Sequence, residues 1–354
     1  MLDTYNVYQR VSAKNNVRWL VMLLADIVLI WGAYAIYAIN AWFSSFLQNK
    51  TMLLITAVAV LFTIIRILGN ITARNDAEAA PSPGYTFFSV LGRIAKRLFV
   101  KNTETGKFTF TSAEEKRMFL FILVKLYFIP VMLQFSLNNY NDLTFEVKRV
   151  MTHGVDRNFY MYFNNVIYPI AVMSFFLIDT WLYSFGYLFE SKKLKNKIRS
   201  VEPTWSGWIV ALICYPPCNE VLSRIAPQQT SVYAYFDSYM ATFYMRVAVM
   251  LLLLVYAWAS LSLGTKCSNL TNRGIVSRGA YRIVRHPAYI SKVTVWWLTL
   301  LPTLGGSAIA ITGMLGWTAV YFFRAVTEER HLMRDPDYIA YCKKVKYRFI
   351  PYIY

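Results

Sequence analysis

Residues Arg18–Trp42 read RWLVMLLADIVLIWGAYAIYAINAW, and residues Val247–Leu263 read VAVMLLLLVYAWASLSL. A helix of about 20 mainly apolar residues crosses the roughly 30 Å hydrocarbon core of a bilayer. Trp19 and Trp42 lie near the two ends of the first stretch, where amphipathic rings prefer the membrane interface. These stretches therefore predict an all-α fold, a polytopic transmembrane helix bundle.

The composition of the whole chain favours the same class. Of its 354 residues, 56% are hydrophobic and 16% are charged, and the mean hydropathy is +0.36. A soluble domain carries about a quarter charged residues because its surface must stay hydrated. Six more apolar segments raise the predicted number of spans to about eight: Met52–Leu68, Met118–Phe135, Val166–Phe189, Trp205–Tyr215, Ala288–Leu304 and Ser307–Phe323. The segment Trp205–Tyr215 is too short to cross alone, so we expect it to continue irregularly or as a broken helix that its neighbours shield.

The distribution of basic residues predicts the orientation. If both termini are cytoplasmic, the segments on that side carry 28 Lys and Arg residues and the outer loops carry five. The positive-inside rule requires such an asymmetry. The formal net charge of +18 is then explained by cytoplasmic loops beside anionic membrane lipids. Nucleic-acid binding is the weaker interpretation, because the basic residues are divided among several loops.

The chain is predicted to have two functional parts. Residues 1–263 would form the N-terminal transmembrane helices, with a cytoplasmic insert at 69–117 that contains an amphipathic, interfacial helix at Tyr85–Val100. Residues 264–354 would form the cofactor-binding region, built on a helical hairpin at 288–323.

Three charged residues, Asp26, Lys125 and Asp179, fall inside predicted spans. Charges at that depth are costly and often functional, but we expect these three to be ion-paired within the bundle. Other kinds of site lack support. The histidines are far apart in sequence and no C-x-x-C motif is paired with a second one, so no metal site is predicted. A transporter is not indicated either, because the sequence shows neither repeated halves nor paired broken helices.

The polar groups that carry chemistry are concentrated in the last quarter of the chain. Residues 273–292 read RGIVSRGAYRIVRHPAYISK, and residues 321–351 read YFFRAVTEERHLMRDPDYIAYCKKVKYRFIP. The hairpin would bring both segments to the cytoplasmic face, where Arg324 and Glu328, four residues apart, share one side of a helix. Such a cleft suits a zwitterionic cofactor, with Arg or backbone N–H for a carboxylate and Glu for an ammonium.

Three motifs in this region together resemble the isoprenylcysteine carboxyl methyltransferase family, part of a wider group of integral membrane methyltransferases that includes the phospholipid methyltransferases. They are Gly279-Ala280-Tyr281, Arg285-His286-Pro287-x-Tyr289 and Phe322-Phe323-Arg324-x-x-Thr327-Glu328-Glu329. The resemblance covers residues 264–351. It implies S-adenosylmethionine as the cofactor and a lipid or lipid-modified acceptor that offers a carboxylate or an amine.

The resemblance also implies roles for individual residues. The cofactor pocket would comprise Arg273, Gly274, Ile275, Val276, Tyr281, His286, Pro287, Ala288, Tyr289 and Glu328. Arg324 would bind the acceptor substrate and act in catalysis, and His286 or Glu329 would serve as the base that an amine acceptor needs. A further polar cofactor contact of the family lies upstream, and we cannot place it in the short loop between Lys266 and Asn272.

Another enzyme class is the alternative. Membrane sterol reductases, which use NADPH, also carry an R-H-P-x-Y box and end in a Y-C-x-x-V-x-Y-R-x-x-P pattern, which residues 341–351 resemble. However, Thr327, Glu328 and Glu329 suit a cofactor ammonium and would repel the phosphates of NADPH. Methyl transfer is therefore the favoured interpretation.

The charge asymmetry leads to a first prediction. In single-cysteine variants, an impermeant thiol reagent should label positions 195 and 346 from the same side of the membrane, because Lys195 and Lys346 lie in segments assigned to the cytoplasm. Labelling of the two positions from opposite sides would contradict the eight-span topology.

Overall fold

The computed structural model describes residues 2–73, 81–99, 109–153, 158–225, 231–303 and 308–353. These residues are almost entirely helical, as the sequence predicts. The chain divides into two compact parts, Met1–Pro130 and Val131–Tyr354. The predicted boundary between residues 263 and 264, which divides the N-terminal helices from the expected cofactor-binding region, does not coincide with this division.

The first part consists of helices only, among the residues described. They are α1 (Leu2–Ile39), α2 (Ala41–Phe46), α3 (Asn49–Ala73), α4 (Pro83–Phe99) and the first half of α5 (Ala113–His153). The buried carboxylate of Asp26 in α1 lies 3.4 Å from Arg66 of α3 and accepts a 2.6 Å hydrogen bond from the backbone N–H of Gly84 in α4. The predicted ion pair of Asp26 is therefore confirmed.

The helix α4 covers residues 85–99 of the segment that the sequence predicts to be amphipathic. Its apolar face buries Phe87 and Val90 against Phe119 and Ile122 of α5, and Arg93, nearer its C-terminal end, binds Glu115 of α5 at 2.6 Å. A cluster of this kind stabilises a short helix that is otherwise too polar to cross a bilayer. Two stretches of the insert, residues 74–80 and 100–108, lie outside the described part.

The second part surrounds the polar C-terminal segments. It contains the rest of α5, α6 (Phe159–Tyr162), a π-helical turn (Phe163–Ile167), α7 (Tyr168–Leu188), α8 (Trp205–Leu212), α9 (Cys218–Ile225), α10 (Tyr239–Leu263), α11 (Pro287–Leu300), α12 (Ala308–Leu332) and α13 (Pro336–Lys344). The described residues also contain a small antiparallel ribbon, in which β1 (Ser200–Val201) pairs with β2 (Thr271–Asn272). The sequence did not predict this ribbon.

Six helical segments in the described chain are long and apolar enough to cross a membrane. They are Val17–Ile39, Asn49–Gly69, Ala113–Thr152, Phe159–Leu188, Tyr239–Lys266 and Ala308–Leu332. The other two of the eight predicted spans are shorter helices. The helix α8 has eight residues, and α11 has 14 residues, which is roughly 21 Å at 1.5 Å per residue.

The predicted hairpin is formed by α11 and α12. Val293 and Leu300 of α11 pack on Met314 and Trp317 of α12 in one buried cluster. The connection at residues 304–307 lies outside the described part. Because the two helices pack side by side, the polar residues before α11 and at the end of α12 meet at the same end of the hairpin.

The other two intramembrane charges, Lys125 and Asp179, contact aromatic and hydroxyl groups. The ammonium of Lys125 lies over the ring of Phe121, 4.6 Å from its centroid. Asp179 accepts hydrogen bonds from the hydroxyls of Tyr256 and Ser260, and no described Lys or Arg forms an ion pair with it. Its predicted ion pair is therefore not formed at short distance among the described residues: hydroxyls of α10 occupy its oxygens, and the charge of Lys292 acts on the carboxylate from farther away.

The close contact of α4 with α1 leads to a stability prediction. A Cβ at Gly84 would lie 2.4 Å from the carbonyl oxygen of Ala25, so Gly84→Ala should destabilise the protein by about 1–3 kcal/mol through overpacking. Gly92 in the same helix has open space at that position, so Gly92→Ala should be neutral or stabilising by up to about 1 kcal/mol. Thermal unfolding in detergent measures both variants, and equal midpoints for the two would contradict the packing.

Candidate active site

A cavity of about 520 Å³ lies within the second part. Its walls come from α5 and α7 to α12, and from the loop between α10 and α11. Six of the predicted site residues line it: Tyr281, His286, Ala288, Tyr289, Arg324 and Glu328. The hairpin thus brings residues from both polar segments to one cavity.

A glycine turn precedes the R-H-P-x-Y box, and a proline inside the box begins α11. Gly279 has φ +60°, and a Cβ there would lie 2.0 Å from the hydroxyl of Ser262, so a side chain does not fit. After this turn, His286 precedes α11 and Pro287 takes the first helical position, which proline tolerates because its missing N–H has no partner in a helix. The imidazole of His286 then stacks on Tyr289, with ring centroids 5.3 Å apart.

Glu329 is the centre of a buried charge cluster behind this motif. Its carboxylate accepts hydrogen bonds from His286 Nε2 (3.1 Å), Arg285 Nη1 (3.3 Å) and Arg348 Nη2 (2.8 Å). The backbone N–H of His286 also donates to the carbonyl of Arg348 at 2.9 Å. Since a carboxylate only accepts, Nε2 of His286 carries a proton and Nδ1 is the nitrogen left for a base.

Arg324 and Glu328 are connected through Tyr289. The Nε of Arg324 donates to the hydroxyl of Tyr289 at 3.0 Å, and that hydroxyl donates to Oε2 of Glu328 at 2.6 Å. Arg324 Nη2 donates to the side-chain oxygen of Asn269. The guanidinium also lies 5.6, 5.3 and 5.9 Å from the ring centroids of Tyr215, Tyr289 and Tyr321. Aromatic faces therefore hold this cation at the cavity wall, and no carboxylate of the described residues lies within ion-pair distance of it.

Asn269 is a cavity residue that sequence reasoning missed. Its amide nitrogen donates to the hydroxyls of Tyr187 (2.9 Å) and Tyr215 (3.0 Å), while its oxygen accepts from Arg324. It lies in the loop between Lys266 and Asn272, where the upstream polar contact of the family could not be placed. A buried amide held by three partners is fixed in orientation, and only the fold reveals which of the loop residues it is.

The predicted segment 273–276 lies behind the cavity. Arg273 donates to Ser268 Oγ (2.9 Å) and to the carbonyl of Asn196 (3.0 Å), and it lies 3.3 Å from Glu190. Burial lowers the pKa of Arg273, and the carboxylate of Glu190 opposes that shift. The predicted residues that do not line the cavity are Arg273, Gly274, Ile275, Val276, Pro287 and Glu329.

The adjoining Tyr281 does reach the cavity. Its backbone carbonyl accepts a 2.8 Å hydrogen bond from the hydroxyl of Tyr341 in α13. Burial raises the pKa of Tyr281 well above its usual range. The phenol therefore stays neutral and can act as a packing surface and a hydrogen-bonding group.

Two further charges on the cavity wall were not assigned to the site from sequence. Asp179 lines it from α7 and Lys292 lines it from α11. The ammonium of Lys292 lies 5.4 Å from the ring centroid of Trp296 and 5.6 Å from that of Tyr321. The charge of Asp179 inside a span was the signal that could have identified it.

A second His–Glu pair borders the cavity near the ribbon. Glu202 and His331 both line the wall, with His331 Nδ1 3.9 Å from the Glu202 carboxylate. The other ring nitrogen of His331 lies 2.9 Å from the hydroxyl of Ser200. Arg330 approaches Glu202 to 3.6 Å. These contacts join the end of α12 to the ribbon.

The described residues contain neither a candidate metal site nor a disulfide bond. No three His, Cys, Asp or Glu side chains there lie close enough together to hold a metal ion. The four cysteines are free thiols.

The comparisons with known proteins concern the region that carries this site. No curated protein and no solved structure matches the chain. Residues 240–334 match the model of the isoprenylcysteine carboxyl methyltransferase (ICMT) family. The match spans α10 to the end of α12 and includes Asn269, the R-H-P-x-Y box, Arg324 and Glu328. Over these residues, the resemblance to the isoprenylcysteine carboxyl methyltransferase family that the sequence motifs predict is confirmed.

Proposed function

We propose that this chain is an integral membrane methyltransferase that transfers a methyl group from S-adenosylmethionine to a lipid or lipid-modified acceptor. The observation that carries the proposal is the convergence of Glu328, Tyr289, Arg324 and His286 on one cavity, all within the residues that match the family. Helices of the second part that are long and apolar enough to cross a membrane, including Tyr239–Lys266 and Ala308–Leu332, support an acceptor dissolved in the bilayer.

The cofactor is assigned to the wall formed by the R-H-P-x-Y box and the end of α12. Glu328 is the anion for its ammonium, and the hydrogen bond from Tyr289 fixes the direction of that carboxylate. The stacked rings of His286 and Tyr289 and the neutral phenol of Tyr281 offer apolar faces to an adenine base. The segment 273–276 supports this wall from behind and does not contact the cofactor directly.

Arg324 is assigned to the acceptor. Its guanidinium carries five N–H donors, more than the two that Tyr289 and Asn269 receive. An acceptor carboxylate could therefore be oriented by the remaining donors in a charge-assisted contact. Methyl transfer from a sulfonium is an in-line displacement, so holding the two reactants in position is the main contribution required of the protein.

An amine acceptor must also lose a proton. His286 can accept it only at Nδ1, because Nε2 carries a proton that is donated to Glu329. We assign Glu329 to positioning: its carboxylate is shared by His286, Arg285 and Arg348, and it is not part of the cavity wall. The basic segments on either side of the hairpin support an orientation in which this site faces the cytoplasm.

The first test separates the proposal from the reductase alternative. Calorimetric titration of the purified protein in detergent should show binding of S-adenosylmethionine and no binding of NADPH. The physical reason is the carboxylates of Glu328 and Glu202 on the cavity wall, which attract an ammonium and repel phosphates. Binding of NADPH alone would overturn the proposal.

The second test separates the roles of Glu328 and Arg324. Glu328→Ala should weaken S-adenosylmethionine binding by roughly 10- to 150-fold, since a hydrogen bond to a charged group contributes about 1.5–3 kcal/mol. Arg324→Ala should leave cofactor affinity nearly unchanged and lower turnover. Arg324→Lys should restore turnover only in part, because an ammonium cannot reproduce the planar fork.

Calorimetry for affinity and a methyl-transfer assay for turnover measure these variants. Two exposed residues provide matched controls: Glu220→Ala for the carboxylate and Arg334→Ala for the guanidinium. An unchanged cofactor affinity in Glu328→Ala contradicts the assignment of the ammonium site.

A further inference from the structure

A buried carboxylate near the ribbon lines the cavity and has one oxygen without a hydrogen-bond donor. Glu202 is 2% exposed and belongs to the cavity wall. Its Oε1 accepts hydrogen bonds from the backbone N–H of Thr204, at 3.0 Å, and from the hydroxyl of the same residue, and Arg330 approaches it to 3.6 Å. In the part of the chain that the structure describes, no donor lies within hydrogen-bond distance of Oε2, and Nδ1 of His331 is 3.9 Å away from it.

The local fold fixes the position of this carboxylate. The backbone N–H of Glu202 donates to the carbonyl of Leu270 at 2.7 Å, which continues the ribbon of β1 and β2. Its backbone carbonyl accepts a 2.8 Å hydrogen bond from the indole of Trp208. A Cβ at Gly207 would lie 2.4 Å from Cγ of Glu202, so the glycine leaves room for the side chain. A buried acceptor without a donor costs free energy, and a ligand that donates to Oε2 recovers that cost.

The imidazole of His331 supplies a hydrogen-bonding group of the opposite kind. Its Nε2 lies 2.9 Å from the hydroxyl of Ser200. The carboxylate beside Nδ1 favours the tautomer that has its proton on that nitrogen, and the hydroxyl of Ser200 then donates to Nε2. The wall therefore presents an acceptor, Oε2 of Glu202, and a donor, Nδ1–H of His331, 3.9 Å apart.

An alcohol hydroxyl is the ligand group that satisfies both atoms. It can donate to Oε2 and accept from Nδ1–H, and an oxygen about 2.8 Å from each fits between two atoms that lie 3.9 Å apart. An ammonium carries donors only, so it would meet the N–H of His331 unfavourably. A phosphate or a carboxylate carries negative acceptors, so Glu202 would repel it.

We propose that Glu202 and His331 bind the ribose of the cofactor, with a hydroxyl of its vicinal diol between Oε2 and Nδ1. This inference rests on the proposed methyl-transfer function. It assigns part of the S-adenosylmethionine site to Glu202, a residue outside the segment that matches the family.

The position of this pair relative to Glu328 agrees with the structure of the cofactor. Glu328, which is assigned to the ammonium, and His331 are three residues apart on α12, which places their Cβ atoms about 5–6 Å apart on one side of the helix. Both residues line the cavity. In S-adenosylmethionine the amino acid and the ribose are joined through the sulfonium, so the groups that bind them must be neighbours. The pair of Glu202 and His331 is such a neighbour of Glu328.

Calorimetric titration of the full chain in detergent tests the inference with stable thioether ligands. They are S-adenosylhomocysteine, its 2′-deoxy and 3′-deoxy analogues, and 5′-methylthioadenosine, which keeps the diol and lacks the amino acid. The wild type should bind at least one deoxy analogue about 10-fold or more weakly than S-adenosylhomocysteine, because a hydrogen bond to a charged group is lost. Equal affinity for S-adenosylhomocysteine and both deoxy analogues overturns the inference without the need for any variant.

The variants locate the diol at the carboxylate. Glu202→Gln should weaken the binding of S-adenosylhomocysteine and of 5′-methylthioadenosine about fivefold or more, because a neutral amide forms the weaker hydrogen bond. The preference for the diol over the deoxy analogue should fall to less than about threefold, since both changes remove one interaction. Gly207→Ala, which crowds the Glu202 side chain, should lower the same preference. Glu328→Ala should weaken S-adenosylhomocysteine and spare 5′-methylthioadenosine. Glu220→Gln alters the same residue type at an exposed position and should match the wild type.

Other outcomes overturn the inference in distinguishable ways. If Glu202→Gln weakens S-adenosylhomocysteine and spares 5′-methylthioadenosine, Glu202 holds the ammonium and not the diol. Unchanged affinities for both ligands in Glu202→Gln assign the carboxylate to the support of α8, and methyl transfer still stands. A wild-type protein that does not bind S-adenosylmethionine removes the proposed function and this inference with it.

Discussion

The buried carboxylate of Glu329 is the constraint on which the geometry of the site depends. A single partner does not offset the cost of removing a carboxylate from water, and here three side chains donate to it: Arg285, His286 and Arg348. They come from the residues before α11 and from the C-terminal segment, while Glu329 itself belongs to α12. One interaction therefore fixes where α11 begins relative to the end of α12. Tyr289, one turn later, is then held between the side chains of Arg324 and Glu328.

Aromatic faces take the place of counter-ions on the cavity side of this junction. Arg324 lies over three tyrosine rings, and Lys292 lies over a tryptophan and a tyrosine. Such contacts hold a cation in place at about 0.5–2 kcal/mol each without neutralising it. An anionic ligand group then meets a positive charge that is already oriented. Preorganised charge of this kind, in a site with little water, is the usual source of catalytic stabilisation. The many aromatic residues of the C-terminal quarter thus have a role beyond membrane anchoring.

The sequence correctly predicted a helical fold with membrane-spanning helices, because that class of fold rests on local patterns. Apolar runs predict helices, and the hairpin at 288–323 follows from two of them. The pairing of Tyr289 with Glu328 and Arg324 depends on α11 and α12 packing at one register, which no spacing along a single helix reveals. Asn269 was missed because its role comes from Tyr187 and Tyr215, distant in sequence. Asp179 was assigned an ion pair because the sequence could not show that two hydroxyls of α10 face it.

The match to the family covers α10 to α12 only, and the cavity extends beyond it. Within the match lie the groups that suit a sulfonium cofactor and its ammonium, including Glu328 and Tyr289. Outside it, α5, α7 and α8 complete the wall with residues such as Asn139, Asp179 and Gly207. A methyl donor presents the same chemistry to any acceptor, so the donor side can be shared by enzymes whose substrates differ. Arg324, which we assign to the acceptor, lies inside the match, so matched and unmatched residues together form the wall of the cavity in which the proposed reaction would take place.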